Sequence, residues 1–363
     1  MTTLTRLAFL GLSIAASLAA QSAPTPVATW NPKTAAAYLD ARMAWWSTWP
    51  TAARDHETFC VSCHTSAPYG MARALLDSGP GNHARSAVEQ TFLSNVVKRV
   101  RLWKEVEPFY PDEKRGKPKT AESRGTESIL NALILTQNDG IAGKMSADTR
   151  IALDNMWSEQ LTSGAAAGAW SWLQFHNAPW EGDSQFYGAT LAAIAAGSFP
   201  GDRSTETERH LDALRAYLIK ECDSQTLLDR MMLVWASTGV SGLLAPAQRE
   251  SILQEALARQ RPDGGFSLSS FVGGWKRADQ TPLETASDGY ATGVVALVLH
   301  KTGVPRDHPA LARAVAWLNS NQQSDGRWLA WSLNKNRDLS TDIGHFMSDA
   351  ATAYAVLALS ANR

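Results

Sequence analysis

QRPDGGF at Gln260–Phe266 and QSDGRW at Gln323–Trp328 share one pattern: a glutamine, a short polar run, and a glycine next to an aromatic residue. A looser copy, QLTSGAAAGAW, spans Gln160–Trp170. Each stretch follows an amphipathic helical segment, at residues 151–160, 251–260 and 310–322. Self-similarity at a regular spacing predicts a repeat architecture in which each unit is one supersecondary element.

A second recurring signal is a helical block that opens with an acidic residue and is rich in small residues. The blocks are Glu127–Leu135, Asp183–Ala196, Asp223–Ser237, Asp288–His300 and Asp349–Leu359. Because helix pairs repeated in this way stack side by side, we expect an all-α fold, an α/α toroid of about five helix pairs. The small faces favour an inner ring. The opening acids are expected to cap free helix N–H groups, although a carboxylate at a barrel mouth can also be a general acid.

These loops resemble the QW repeats of squalene–hopene cyclases, and the helix pairs resemble the α/α toroid that those cyclases share with protein prenyltransferase β subunits. The resemblance covers residues 86–363. It implies that the loop residues are scaffold: Gln260, Gln323, Trp170, Phe266 and Trp328. The family's Asp-x-Asp-Asp and Asp-x-Cys motifs are absent from the sequence, so its activities do not follow from the resemblance.

The most specific short motif is Cys60-Val61-Ser62-Cys63-His64. Cys-x-x-Cys-His is the attachment pattern of c-type haem, in which Cys60 and Cys63 would form thioethers and His64 would ligate iron. A redox Cys-x-x-Cys pair and half of a zinc site are the alternatives. Cys222 is expected to be a buried, unpaired thiol. Candidate sixth iron ligands are Met71, His56, His83, Met145, His176 and His345.

Residues 1–23 resemble a secretory signal, with Arg6 before the apolar run Leu7–Ala20. Three segments are therefore expected: the signal peptide 1–23, a linker, helix and haem-binding segment at 24–85, and the toroid at 86–363. No later segment is apolar enough to span a membrane, so a periplasmic or secreted location is predicted. The combination of CxxCHT, a following PY and these repeats also resembles a group of secreted bacterial proteins.

Composition and aromatic clusters complete the sequence-based picture. Lys and Arg number 34 against 35 Asp and Glu, which gives no electrostatic footprint for nucleic acid. Lys33–Trp49 is predicted to be a helix whose aromatic end walls a haem pocket, and the connection Trp170–Asp183 is a second candidate ligand site.

Together these features predict an exported c-type haem redox protein. Its partner would be a redox protein or a hydrophobic small molecule. The alternatives are a haem-dependent oxidoreductase or isomerase acting on a terpenoid- or quinone-like substrate, and a non-redox terpenoid cyclase.

Overall fold

The computed structural model describes residues 29–76, 85–110, 117–199 and 204–361. Its helices alternate between an outer and an inner layer. The outer helices are α1 (Pro32–Thr48), α3 (Ala87–Arg101), α5 (Ala147–Ser158), α7 (Thr205–Glu221), α9 (Pro246–Leu257) and α11 (Pro309–Ser320). The inner helices are α2 (Ser66–Ala72), α4 (Lys117–Ala142), α6 (Phe186–Gly197), α8 (Leu227–Ala236), α10 (Gly289–Lys301) and α12 (Phe346–Ala361). A two-stranded hairpin, β1 (Ala53–Arg54) and β2 (Thr58–Phe59), lies between α1 and α2.

The inner helices form a closed ring in the order α2, α4, α6, α8, α10, α12 and back to α2. The predicted α/α toroid is therefore confirmed, with six inner helices in the described part of the chain rather than about five. The sixth is α2, which belongs to the segment that was expected to hold haem. Whether residues 24–85 are a unit separate from 86–363 stays a prediction.

The inner ring is tight because its helices carry small side chains at their contacts. Along α10 and α12 almost every residue is buried. At Gly293 of α10, an added Cβ would lie 2.8 Å from the backbone nitrogen of Ala355 in α12. Any larger residue at Gly293 would push these two helices apart, since backbone rather than a flexible side chain faces it.

The glutamine loops join each repeat to the next. In every case the glutamine amide donates both to a carbonyl of its own loop and to a carbonyl at or near the next outer helix. The pairs are Gln160 to Gly168 (2.9 Å) and His210 (3.0 Å), Gln260 to Gly264 (2.9 Å) and Ala310 (2.7 Å), and Gln322 to Gly326 (3.0 Å) and Asn31 (3.0 Å).

The last of these bridges closes the toroid. Asn31 is the N-cap of α1, so Gln322 joins the C-terminal repeat to the first outer helix. The bridging residue is thus Gln322, and the prediction of Gln323 was wrong by one position, because the amide of Gln323 donates only to the nearby Asn321 carbonyl. Trp328, which follows in the same loop, is fully buried and donates to the Leu318 carbonyl at 2.8 Å.

No helix among the described residues is long and apolar enough to cross a membrane. The predicted signal peptide at residues 1–23 lies outside the described residues.

Candidate functional site

One cavity lies where several outer-to-inner connections meet at the N-terminal ends of the inner helices. Its volume is about 270 Å³, close to the lower end of the usual range for small-ligand clefts, about 300 Å³. Its aromatic lining is Trp46, Trp49, Phe109, Tyr110, Trp180 and Phe346. Its titratable lining is Arg54, Cys60, Cys63, His64, Glu181 and Arg337, with Tyr110. We call this cavity the mouth pocket.

The Cys60–His64 segment is held rigidly on one wall of the mouth pocket. The side chain of Asn95 in α3 pairs with both backbone groups of Phe59, accepting from its N–H at 2.8 Å and donating to its carbonyl at 3.0 Å. Trp46 Nε1 donates to the carbonyl of Cys60 at 2.6 Å. The strand residue before the motif and the motif's first carbonyl are therefore both fixed by α1 and α3.

The imidazole of His64 is packed between aromatic rings. Phe346 stacks on it with ring centroids 3.8 Å apart, and Trp46 meets it edge-on at 4.9 Å. Burial lowers the pKa of His64 to about 3, and the nearby charges of Arg42 and Arg337 lower it further. His64 is therefore a neutral imidazole at ordinary pH.

A chain of hydrogen bonds fixes which nitrogen of His64 carries the proton. Thr65 Oγ1 donates its single hydrogen to Asp349 Oδ2 at 2.7 Å. The same oxygen lies 2.9 Å from His64 Nδ1, so Nδ1–H must be the donor to Thr65. The other ring nitrogen, Nε2, is then an unprotonated acceptor, since the hydrogen bond that His64 forms with a described residue is made through Nδ1.

Asp349 is the end of this chain and the centre of a buried network. It accepts from Tyr38 Oη at 2.8 Å and Arg42 Nε at 2.8 Å, besides Thr65. Burial raises its pKa, and the Arg42 charge opposes that shift. Asp349 lies within α12, so the prediction that it caps a helix was wrong. The same prediction is confirmed for Asp288, the N-cap of α10, which accepts from the Ala291 N–H at 2.8 Å.

The opposite wall comes from the connection between α5 and α6. Asn177 and Glu181 pair through their backbones, at 2.7 and 2.9 Å, and Trp172 Nε1 donates to the Trp180 carbonyl at 2.6 Å. This tight loop places the carboxylate of Glu181 in the mouth pocket, where Asn177 Nδ2 donates to it at 3.2 Å. Burial raises the pKa of Glu181.

The two thiols differ in exposure but not in protonation. Cys60 is half-buried and Cys63 is buried. Burial raises the pKa of Cys60 to about 12 and that of Cys63 well above its usual value. Both are therefore protonated thiols. Cys222 is buried and unpaired, as predicted.

The other residues singled out from sequence lie away from this wall or have local partners. His176 and Asp183 form an exposed pair at 2.8 Å, so the acid of that connection that faces the mouth pocket is Glu181 rather than Asp183. Met71 is buried inside α2, and the ring of His345 lies 6.2 Å from that of Tyr38. His56 and Met145 do not line the mouth pocket, and His83 lies outside the described residues.

Neither a family model nor a curated protein matches the sequence. The fold is similar to an unsaturated glucuronyl hydrolase from Bacillus sp. GL1, with a TM-score of 0.50, 13% identity, and coverage of 91% of this chain and 96% of that one. It is similar to an inactive α-1,6-mannanase variant from Salegentibacter sp. HEL1_6 in complex with α-1,6-mannotriose. The TM-score is 0.50, the identity is 13%, and the match covers 90% of this chain and 100% of that one. It is also similar to a UGL variant solved with dGlcA-Glc-Rha-Glc. The TM-score is 0.51, the identity is 13%, and the match covers 90% of this chain and 95% of that one.

These findings correct the identity expected from sequence. The resemblance to squalene–hopene cyclases and prenyltransferases is wrong as a family assignment, because the solved structures named above, to which the fold is similar, are an unsaturated glucuronyl hydrolase, a UGL variant and an α-1,6-mannanase variant. The predictions of covalent haem, iron and electron transfer are wrong with it. No group of three or more His, Cys, Asp or Glu within the described ranges could hold a metal ion. A five-residue local motif does not specify the fold around it, which is why Cys60–His64 misled the prediction.

Three charged or titratable residues of the mouth pocket were not identified from sequence: Glu181, Arg54 and Arg337. Glu181 lies inside the connection Trp170–Asp183, which was predicted to be a ligand site, but the acid considered as a possible general acid was Asp183. Arg54 and Arg337 carried no signal, because nothing local distinguishes a pocket arginine from a surface one. The structure has all three motif residues, Cys60, Cys63 and His64, on the wall of one cavity. That they bind a ligand there stays a prediction.

Proposed function

We propose that this protein is a carbohydrate-active enzyme that cleaves a glycosidic linkage in the mouth pocket, with Glu181 as its proton-transferring acid. One observation carries the proposal: Glu181 is the single carboxylate among the described residues that line this cavity, and burial raises its pKa. A raised pKa, which favours the protonated form of the acid, is the direction that general-acid catalysis at a leaving oxygen requires.

The aromatic walls fit a sugar ring. Trp46, Trp49 and Trp180 line the cavity together with a few convergent polar groups, which is the usual composition of a small-ligand site. Its volume of about 270 Å³ favours the binding of one ring or a chain end rather than a long internal stretch of polysaccharide.

Most glycoside hydrolases use two carboxyl groups, one as acid and one as base or nucleophile. Here His64 takes the second position. Its Nε2 lone pair is fixed by the Thr65–Asp349 chain and can accept a hydrogen bond from a water molecule or a sugar hydroxyl. Glu181 then gives its proton to the leaving oxygen as the bond between that oxygen and the sugar carbon breaks. The water oriented by His64 forms the new carbon–oxygen bond, and the proton that it releases returns through solvent to the Glu181 carboxylate.

The fold supports this reading at the level of reaction class. The similar solved structures include an unsaturated glucuronyl hydrolase and an α-1,6-mannanase variant holding α-1,6-mannotriose. We assign Cys60, Cys63 and His64 to the ligand-binding wall. The ligand is a small molecule with an apolar face. The apolar run after Arg6 supports export to the periplasm or beyond.

The test is a substrate panel given to the purified mature chain. α-1,6-Mannotriose, dGlcA-Glc-Rha-Glc and glycosaminoglycan-derived disaccharides are incubated with the protein, and new reducing ends are followed by mass spectrometry. We expect cleavage of at least one compound. Cleavage of none across a panel that also covers neutral β-linked oligosaccharides would contradict the proposal.

A further inference from the structure

We propose that the mouth pocket is built for a carboxylate-bearing sugar, whose negative charge is bound by Arg54 and Arg337. This inference rests on the proposed function for the claim that the ligand is a sugar, whereas the claim that the ligand is negatively charged is independent of it. It follows from how these two arginines, from opposite ends of the chain, are left without carboxylate partners in one cavity.

Arg54 is positioned but not neutralised. Its Nη1 donates to the carbonyls of Thr51 at 2.9 Å and Ala53 at 2.7 Å, which fixes the guanidinium beside the β1–β2 hairpin. Its Nε is buried without a hydrogen-bond partner, and the side chain forms no ion pair with a described carboxylate. A buried donor left unpaired destabilises the site, and a ligand acceptor would relieve that cost.

Arg337 contributes from the connection between α11 and α12. It lines the same cavity, half-buried, and makes no hydrogen bond or ion pair with any residue in the described ranges. Arg327 and Arg277 are different, since they are paired with Asp325 and Glu284. An arginine that is drawn into a cavity without a partner is oriented for an anion that arrives with the ligand.

The charges that face the cavity do not cancel. Arg54 and Arg337 are opposed only by Glu181 among the lining residues, and burial favours the neutral form of that acid. His64 is neutral, and the two thiols are protonated. Trp180 Nε1 adds one more buried donor without a partner. The cavity therefore has a surplus of positive charge and donors, which a neutral sugar would leave uncompensated.

The test compares two probes that differ only at one carboxylate: para-nitrophenyl β-D-glucuronide and para-nitrophenyl β-D-glucoside. Binding to the full mature chain is measured by calorimetry. Because hydrogen bonds to charged groups are stronger than those between neutral groups, we expect the glucuronide to bind at least about 10-fold more tightly. R54Q and R337Q should each reduce that ratio toward one, and higher salt should reduce it as well.

R249Q is the matched control, because Arg249 is exposed on α9 and does not line the cavity. Should R54Q fail to fold, R337Q still decides the matter, since that side chain holds no other group. Equal binding of the two probes, binding of neither, or an effect of R249Q as large as that of R337Q would overturn the inference. Glucuronide preference without any cleavage would leave the anion site standing and count against the proposed reaction only.

Discussion

Asp349 and Glu181 are both acids at the mouth of the toroid whose pKa values are raised by burial, although Asp349 is fully buried and Glu181 is half-buried. Asp349 accepts three side-chain hydrogen bonds and is 1% exposed. Glu181 accepts one side-chain hydrogen bond, from Asn177, and faces the cavity. The first acid is saturated by the protein, whereas the second keeps acceptor capacity for a ligand.

The comparison shows how to distinguish an acid that stabilises the fold from an acid that is available for chemistry. The network around Asp349 ties α1, α2 and α12 together and orients His64 through Thr65. The loop that carries Glu181 is held by its own backbone bonds, so its carboxylate is free for another task. We therefore expect substitutions at Asp349 to affect stability and substitutions at Glu181 to affect activity.

The largest effect is expected for Asp349→Ala. Removing this carboxylate leaves the buried Arg42 guanidinium without its main partner, and breaking a buried ion pair costs about 3–5 kcal/mol. The free energy of unfolding from urea denaturation measures this. Asp342→Ala is the control, because Asp342 pairs with the same Arg42 but its side chain is 54% exposed. Removing an exposed partner should lower the free energy of unfolding by at most about 1 kcal/mol. Equal losses in both variants would erase the contrast between the two regions.

The second expected effect is a pH dependence of stability that Glu181 causes and Glu181→Gln removes. A raised folded-state pKa means that the folded protein binds the proton more tightly than the unfolded chain. Stability from this group is therefore full below the ordinary glutamate pKa of about 4.3 and falls as pH rises toward the folded value. The difference between the two unfolding free energies should fall by at most about 1.4 kcal/mol per pH unit in that window. A flat difference would show that Glu181 is as solvated as a surface acid.

The smallest effect concerns the proton on His64. Nitrogen-15 NMR of the free protein should show Nδ1 protonated and Nε2 unprotonated throughout pH 5 to 8, a range of about three units over which an ordinary histidine titrates. Thr65→Val removes the acceptor of the Nδ1–H and should release this tautomer preference while the chain stays folded. An Nε2–H tautomer in the unmodified protein would contradict the link between the Asp349 network and the mouth pocket.

The sequence predicted local features well and long-range ones poorly. Asp288 was identified as a cap because an N-cap acts within three residues of its own helix. The partners of Asp349, by contrast, are about three hundred residues away, in α1 and at Thr65 just before α2, and no local pattern encodes them. Two adjacent glutamines could each have served the third loop, and only the packing against Asn31 selects Gln322.

The repeat count failed for a related reason. The helix α2 has only seven residues, which is too short to give a periodic signal, yet it fills the sixth position of the inner ring. The fold class followed from periodicity that recurs over the whole chain. The site required knowing which connections meet in space, and that depends on the closure of the ring.

The most direct test of the central claim is the rate of glycosidic cleavage by Glu181→Gln, measured on the panel substrate that the unmodified protein cleaves. We expect the rate to fall about 100- to 10,000-fold, the usual contribution of a general acid, while the circular dichroism spectrum shows that the variant stays folded. Asp183→Asn, at the exposed acid two residues further along the same connection, should keep the full rate. Cleavage by Glu181→Gln at the rate of the unmodified protein would contradict the account.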